Sequence, residues 1–175
     1  MPRFSVSRSH WSVVKVASLV AMLAAVWLAL PGVSAAAHLE GPFARFSGNW
    51  RGSGHVVSAD GRAEPINCRA HYDVSEGGTN LTQSLVCASD SYRVDIRSEV
   101  VAQGQSFQGT WQETTRNVSG NLSGQIGDGV FEGTVTGMGF TAGISLRVSG
   151  RRQSVEIRPS AGDITKIEVA LARAG

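Results

Sequence analysis

The chain has 175 residues with 16 basic and 14 acidic side chains, a length that suits one domain with a real hydrophobic core. Residues 1–37 hold three of the basic residues and no acidic one, so the 138 residues that follow carry 13 basic and 14 acidic side chains, a net charge of −1. This balance argues against a basic surface for nucleic acid or another polyanion.

The first predicted element is a secretory signal peptide over residues 1–37. Three basic residues precede an apolar segment at 16–30, Pro31 breaks that segment, and small residues lead to Ala37. This order is typical of a cleaved leader. The alternative is an uncleaved membrane anchor, because the uncharged residues 16–37 are long enough to span a bilayer. We predict cleavage after Ala37 and a periplasmic or secreted domain over residues 38–175.

After the leader, apolar and polar residues alternate with a period of two, as at Ile144, Leu146 and Val148. Short runs of this kind, separated by turn residues, predict antiparallel strands rather than helices. The turn candidates are Asp60-Gly61, Gly77-Gly78, Gly104-Gln105, Gly127-Asp128-Gly129, Gly150-Arg151 and Gly162-Asp163. The sequence therefore predicts an all-β domain of about eight to ten strands, either a single antiparallel β-barrel or a β-sandwich.

The two cysteines predict a hairpin and a disulfide. The midpoint of Cys68 and Cys87 falls between Gly77 and Gly78, so a two-residue turn there would place the cysteines opposite each other. Facing residues of antiparallel strands are close enough to bridge, and an exported protein meets an oxidising compartment. The same register predicts that Tyr72 faces Gln83.

A short aromatic motif occurs twice, as Phe46-Ser-Gly-Asn-Trp50 and as Phe107-Gln-Gly-Thr-Trp111. In a strand, both aromatic residues and the glycine share one face, which suits a strongly bent strand where large rings close the end of a barrel. We therefore predict Trp50 and Trp111 at a barrel floor. The alternative is a ring platform for a sugar or lipid.

The opening Gly48-Asn-Trp50 resembles the Gly-x-Trp motif of calycin barrels such as lipocalins. The resemblance implies that Trp50 closes the floor and that an arginine of the last strand, here Arg173, covers its ring. Most of residues 46–172 also resembles a family of short exported bacterial proteins without an assigned activity. That resemblance rests on the runs CRAHYDV, LVCASDSYRVDI, GTWQETTRNVSGNLSG and RQSVEIRP. It implies export and a single domain, and it supplies no site.

A search for catalytic and metal-binding groups finds no motif. His38, His55 and His71 follow the leader without the HxH or HxxxH spacing that would chelate a metal. No serine stands in a Gly-x-Ser-x-Gly elbow, and no phosphate loop or dinucleotide fingerprint is present. We predict a protein that is not an enzyme and has no metal and no cofactor.

The most informative stretch for a cavity covers residues 118–143, where an apolar inner face is diluted by glycine. The candidate lining residues are Gly120, Leu122, Gly124, Phe131, Gly133 and Val135. Aromatic rings of other strands would fill the space that the glycines leave, or else a ligand would. Barrels of about eight strands can hold one small ligand.

The leading functional prediction is therefore an exported β-barrel module that binds a small apolar or cell-envelope ligand. The alternative is a protein-interaction module, such as a periplasmic inhibitor or an envelope assembly factor, with Glu113, Arg116 and Asn117 as its contact loop. A third interpretation, an outer-membrane barrel, needs longer uninterrupted apolar rows. We accordingly expect no stable membrane insertion after leader cleavage.

Overall fold

The computed structural model describes residues 40–75 and 77–175, so the predicted signal peptide and His38 lie outside the described residues. A single turn of 3₁₀ helix over Ala44–Phe46 precedes ten strands. These are β1 (Gly48–Ser58), β2 (Ala63–Val74), β3 (Asn80–Ala88), β4 (Arg93–Gln103), β5 (Ser106–Glu113), β6 (Val118–Gly127), β7 (Val130–Gly137), β8 (Phe140–Ser149), β9 (Arg152–Pro159) and β10 (Ile164–Arg173). No helix in these ranges is long and apolar enough to cross a membrane.

The ten strands form one closed antiparallel barrel. Each strand pairs with the next along the chain, and β10 returns to pair with β1. The predicted all-β barrel is confirmed, and the sandwich alternative is wrong, because this last pairing leaves no sheet edge. All six predicted turns lie at connections, and the structure adds three that the prediction did not include, at residues 89–92, 114–117 and 138–139.

The barrel has a closed end and an open end. The floor is the end where β1 begins and β10 ends, and residues 40–47 cross it. The mouth is the opposite end, formed by the connections at residues 59–62, 89–92, 114–117, 138–139 and 160–163. Along each strand, apolar side chains alternate inward with polar side chains outward, as in β2, where Ile66 and Cys68 are buried but Asn67 and Arg69 are exposed.

Three aromatic rings pack at the floor and are shielded from solvent. The side chains of Phe43, Phe46 and Trp50 are at most 1% exposed, and Trp50 Nε1 donates a hydrogen bond of 2.7 Å to the carbonyl oxygen of Phe46. The guanidinium of Arg173 lies 4.5 Å from the centre of the Trp50 ring and donates a hydrogen bond of 2.7 Å to the carbonyl oxygen of Arg45. The structure thus brings Trp50 and Arg173 together at the floor.

The hairpin of β2 and β3 has the predicted register but a different turn. Cys68 faces Cys87, Tyr72 faces Gln83, and the two cysteines form a disulfide. The strands end at Val74 and resume at Asn80, so Gly77-Gly78 is not a two-residue turn. The wider connection packs against the segment that crosses the floor: Gly78 has a φ of +64°, and a Cβ there would come within 1.6 Å of the carbonyl oxygen of Glu40.

The hairpin of β1 and β2 forms at the predicted Asp60-Gly61 turn, but its register is one residue away from that of a two-residue turn. A two-residue turn at Asp60-Gly61 would place His55 opposite Ile66, but His55 faces Pro65. The reason is a three-residue loop at 59–61, closed by a hydrogen bond from the Ser58 N–H to the carbonyl oxygen of Arg62. A shift of one residue exchanges the two faces of a strand, so Ile66 points inward while His55 is exposed outside.

Candidate functional site

The barrel interior contains a cavity of about 640 Å³ that reaches the mouth. Its volume lies within the range of small-molecule sites. Most of its wall is aliphatic, with lining residues that include Ile66, Leu85, Val94, Ile96, Ile144 and Val155. The Cys68–Cys87 disulfide is also part of the wall. The site is therefore an apolar chamber above the aromatic floor.

The predicted lining residues of β6 and β7 divide into two groups. Leu122, Phe131 and Val135 line the cavity, whereas Gly120, Gly124 and Gly133 do not. The reason is that an aromatic ring covers two of these glycines: the tip of the Phe107 ring lies 2.8 Å and 2.7 Å from where a Cβ would stand on Gly124 and Gly133. The Phe107 ring also stacks on Phe131, with 3.8 Å between the ring centres. On this side of the barrel, rings fill the space that the glycines leave.

The second Trp of the repeated motif lies far from the floor, which corrects its predicted position. β5 starts at the floor with Ser106, so Phe107 is the floor residue and Trp111 lies toward the mouth. The Trp111 ring faces the cavity and covers Gly137, where a Cβ would come 2.9 Å from the ring. Its Nε1 donates a hydrogen bond of 2.9 Å to the carbonyl oxygen of Thr136.

Two polar side chains face the cavity in the middle of the aliphatic wall, and the sequence analysis did not select them as site residues. Gln83 on β3 and Ser98 on β4 are directly opposite each other, and both line the cavity. Ser98 is 6% exposed. The signal that could have identified them is a polar residue at an inward position of an otherwise apolar strand face.

A second polar pair adjoins the first, because Tyr72 on β2 is directly opposite Gln83 on β3. Tyr72 and Gln153 are both buried, and Gln153 Nε2 lies 3.1 Å from the Tyr72 hydroxyl oxygen. Burial raises the pKa of Tyr72 to about 12, so its hydroxyl is neutral at physiological pH. These two residues satisfy each other and support the floor.

The predicted contact loop lies at the mouth, with Glu113 buried beneath it. The Glu113 carboxylate accepts hydrogen bonds from the backbone N–H groups of Asp95, Thr115 and Arg116, at 3.1, 3.2 and 2.7 Å, and from the Thr115 hydroxyl. Burial raises the pKa of Glu113, but these hydrogen bonds lower it more, and the net pKa is about 2. Glu113 therefore holds the loop as a carboxylate, while Arg116 and Asn117 are exposed to solvent.

Large apolar side chains are exposed around the mouth. Met138 is 94% exposed, Tyr92 44% and Phe140 36%, and they come from two different connections and the start of β8. The Phe140 ring contacts the Trp111 ring edge to face, with 6.1 Å between the centres. We call these three residues the apolar rim; Tyr92 and Phe140 also line the cavity, whereas Met138 does not.

Neither comparison with known proteins supplies a family. No protein-family model matches the chain, and a search of curated proteins finds no relative. Among residues 40–75 and 77–175, no three His, Cys, Asp or Glu side chains are grouped so that they could hold a metal ion.

Proposed function

We propose that this protein is an exported binding module that takes up a small apolar molecule in the barrel cavity and has no catalytic role. The observation that carries the proposal is the aliphatic chamber of about 640 Å³ that reaches the mouth. Protein interiors are close-packed, with few voids larger than a water molecule. A chamber of this size in a single barrel is therefore a binding feature and not a packing detail.

The distribution of charge in the cavity supports an uncharged ligand body. The charged residues that line the cavity are Glu113, Arg116 and Asp163, and all three belong to the mouth. A charged group deep in the aliphatic chamber would have no opposite charge to pair with, which is costly. Burial of apolar ligand surface, at about 25 cal/mol per Å², then supplies the main driving force for binding.

Export is part of the proposal, and two features support it. A cleaved signal peptide over residues 1–37, as the sequence predicts, would send the mature chain to the periplasm or out of the cell. The Cys68–Cys87 disulfide is the kind of bond that persists in those compartments. Apolar molecules of the cell envelope are accordingly the first ligand class to test.

The test compares two substitutions by Trp. One places the large side chain inside the cavity, and the other places it on the outer surface of the barrel. Leu85 lines the chamber, so Leu85→Trp should place an indole in the ligand space, whereas Val101, 44% exposed on the outer face of β4, gives the control Val101→Trp. Binding is measured with N-phenyl-1-naphthylamine, a dye whose emission rises in apolar surroundings. We expect the wild type and Val101→Trp to bind the dye and Leu85→Trp to bind it at least about tenfold more weakly.

The comparison also has a clear negative result. If the dye binds Leu85→Trp and the wild type equally, the cavity is not the binding site. If a folded wild type does not bind the dye or an apolar ligand from envelope extract, the proposal is wrong. Thermal unfolding of each variant establishes that it is folded before binding is compared.

A protein-interaction module is the second candidate function, and the apolar rim is the observation that favours it. Exposed aromatic and Met side chains are enriched at protein contacts, and Met138 has almost no contact with the rest of the barrel. Replacing Met138, which does not line the cavity, by Ser should weaken binding of a protein partner yet leave dye binding in the chamber intact. Loss of dye binding alone would instead assign the rim to ligand entry.

A further inference from the structure

We propose that the ligand carries a neutral oxygen group, a hydroxyl or a carbonyl, which is bound inside the cavity by Gln83 and Ser98. This inference rests on the proposed function and narrows it from any apolar molecule to one chemical class. The ligand then has one defined orientation, with its oxygen at the β3–β4 wall and its apolar body in the rest of the chamber.

The positions of the two residues make them a pair. Gln83 and Ser98 are opposite each other on β3 and β4, and both belong to the cavity wall. Directly opposed side chains in an antiparallel pair have Cβ atoms about 4.5–5.5 Å apart. The amide and the hydroxyl can therefore contact the same ligand atom or two atoms of one small group.

Both side chains are open to the cavity and not sealed in the wall. Both residues line the cavity, and Gln83 is half-buried. In the part of the chain that the structure describes, no buried side-chain nitrogen or oxygen lacks a hydrogen-bond partner. The Gln83 amide and the Ser98 hydroxyl are therefore placed to bond to water or to a ligand oxygen in the cavity.

The surroundings of the pair also argue that its position has a purpose other than packing. The inward positions on either side along the same strands are apolar: Leu81 and Leu85 on β3, and Ile96 and Val100 on β4. An aliphatic pair would continue this wall without a desolvation cost. Two adjacent polar residues at this depth are what a site needs to orient an otherwise apolar ligand.

The chemistry of the pair selects a neutral oxygen. The Gln amide and the Ser hydroxyl can each donate and accept a hydrogen bond, so together they satisfy a hydroxyl or a carbonyl. A carboxylate would need a cation, and Arg116, the basic residue that lines the cavity, is at the mouth. We therefore expect hydroxyl and carbonyl compounds to bind in preference to both hydrocarbons and carboxylates.

The test uses three probes that share one ring system: naphthalene, 2-naphthol and 2-naphthoate. Each probe competes at pH 7 with N-phenyl-1-naphthylamine for the protein, which is expressed from its full sequence. The readout is the ratio of the 2-naphthol affinity to the naphthalene affinity. This ratio should fall about tenfold in the double variant Gln83→Leu with Ser98→Ala, which removes the hydrogen bonds and keeps the wall. Thr82→Val, on the outer face of β3, should leave the ratio unchanged.

The outcomes separate this inference from the proposed function. If naphthalene binds in the chamber but the ratio is the same in the wild type and the double variant, the role of Gln83 and Ser98 is wrong and the apolar site stands. Tighter binding of 2-naphthoate than of 2-naphthol would also overturn the inference. If no probe binds the folded wild type, both proposals fail. Should the double variant not fold, Ser98→Ala removes a single hydroxyl and gives the same comparison.

Discussion

Replacing Gly124 by alanine should destabilise the barrel, because the added methyl group has no space. A Cβ on Gly124 would come 2.1 Å from the carbonyl oxygen of Glu132 and 2.8 Å from the tip of the Phe107 ring. The carbonyl belongs to the backbone of β7, so the ladder between β6 and β7 would have to shift. Overpacking of this kind typically costs about 1–3 kcal/mol, and we expect the upper part of that range, because the ring and the backbone must both move.

The control is a glycine on the outside of the same barrel. Gly143 on β8 has no atom within 4 Å of where its Cβ would stand and is exposed. Gly143→Ala should therefore be neutral or should stabilise the protein by about 0.4–1 kcal/mol, through the lower entropy of the unfolded chain. The two variants make the same chemical change and differ only in what the methyl group meets.

Urea unfolding at pH 7, followed by tryptophan fluorescence, measures both variants. The unfolding midpoint of Gly124→Ala should fall while the dependence on urea stays the same, which indicates a change in stability alone. If Gly124→Ala is as stable as Gly143→Ala, the ring does not rest on the glycine. Phe107 would then not be the side chain that fills this side of the barrel.

Three further predictions concern the floor, the disulfide and the mouth. Trp50→Ala should lower the free energy of unfolding, measured with urea, by about 3–5 kcal/mol, because the ring is fully buried. A variant as stable as the wild type would mean that the ring is exposed and available for binding. Cys68→Ser should lower the free energy of unfolding by about 3 kcal/mol. Dithiothreitol should lower the stability of the wild type to a similar extent but should not change the stability of the variant. Because the pKa of Glu113 is lowered from 4.5 to about 2, the unfolded chain takes up the proton first as the pH falls. The stability advantage of the wild type over Glu113→Gln should therefore be full above pH 4.5 and decrease toward pH 2; a constant difference would contradict this role.

The parts of the fold that could be predicted are those fixed by local chemistry. Alternation of apolar and polar residues indicates strands, and the midpoint of Cys68 and Cys87 gives the register of β2 on β3, which the structure confirms. Closure could not be predicted in the same way. It depends on β10 pairing with β1, a contact between the two ends of the domain, and local patterns do not distinguish a closed sheet from two packed sheets.

The repeated motif shows why similar sequences can take different positions. The first copy straddles the start of its strand, since β1 begins at Gly48, and its Trp50 is the third strand residue. The second copy begins one residue inside β5, so Trp111 is the sixth of its eight strand residues and lies in the half nearer the mouth. The spacing within the motif determines on which face of the strand the Trp ring lies. The distance of the ring from the barrel floor depends instead on where the strand begins.

The cavity arises because the aromatic rings are distributed unevenly around the barrel. Phe107 and Trp111 point inward from β5 and lie over glycines of β6 and β7, so that side of the interior is filled. On the neighbouring strand β4, Ser98 is directly opposite Trp111 and lines the cavity, and its small side chain leaves space beside that ring. An aromatic residue in place of Ser98 would fill part of the chamber with protein atoms. The combination of an aliphatic chamber with a polar pair, Gln83 and Ser98, on its wall is therefore the feature that favours an open, selective site over a filled core.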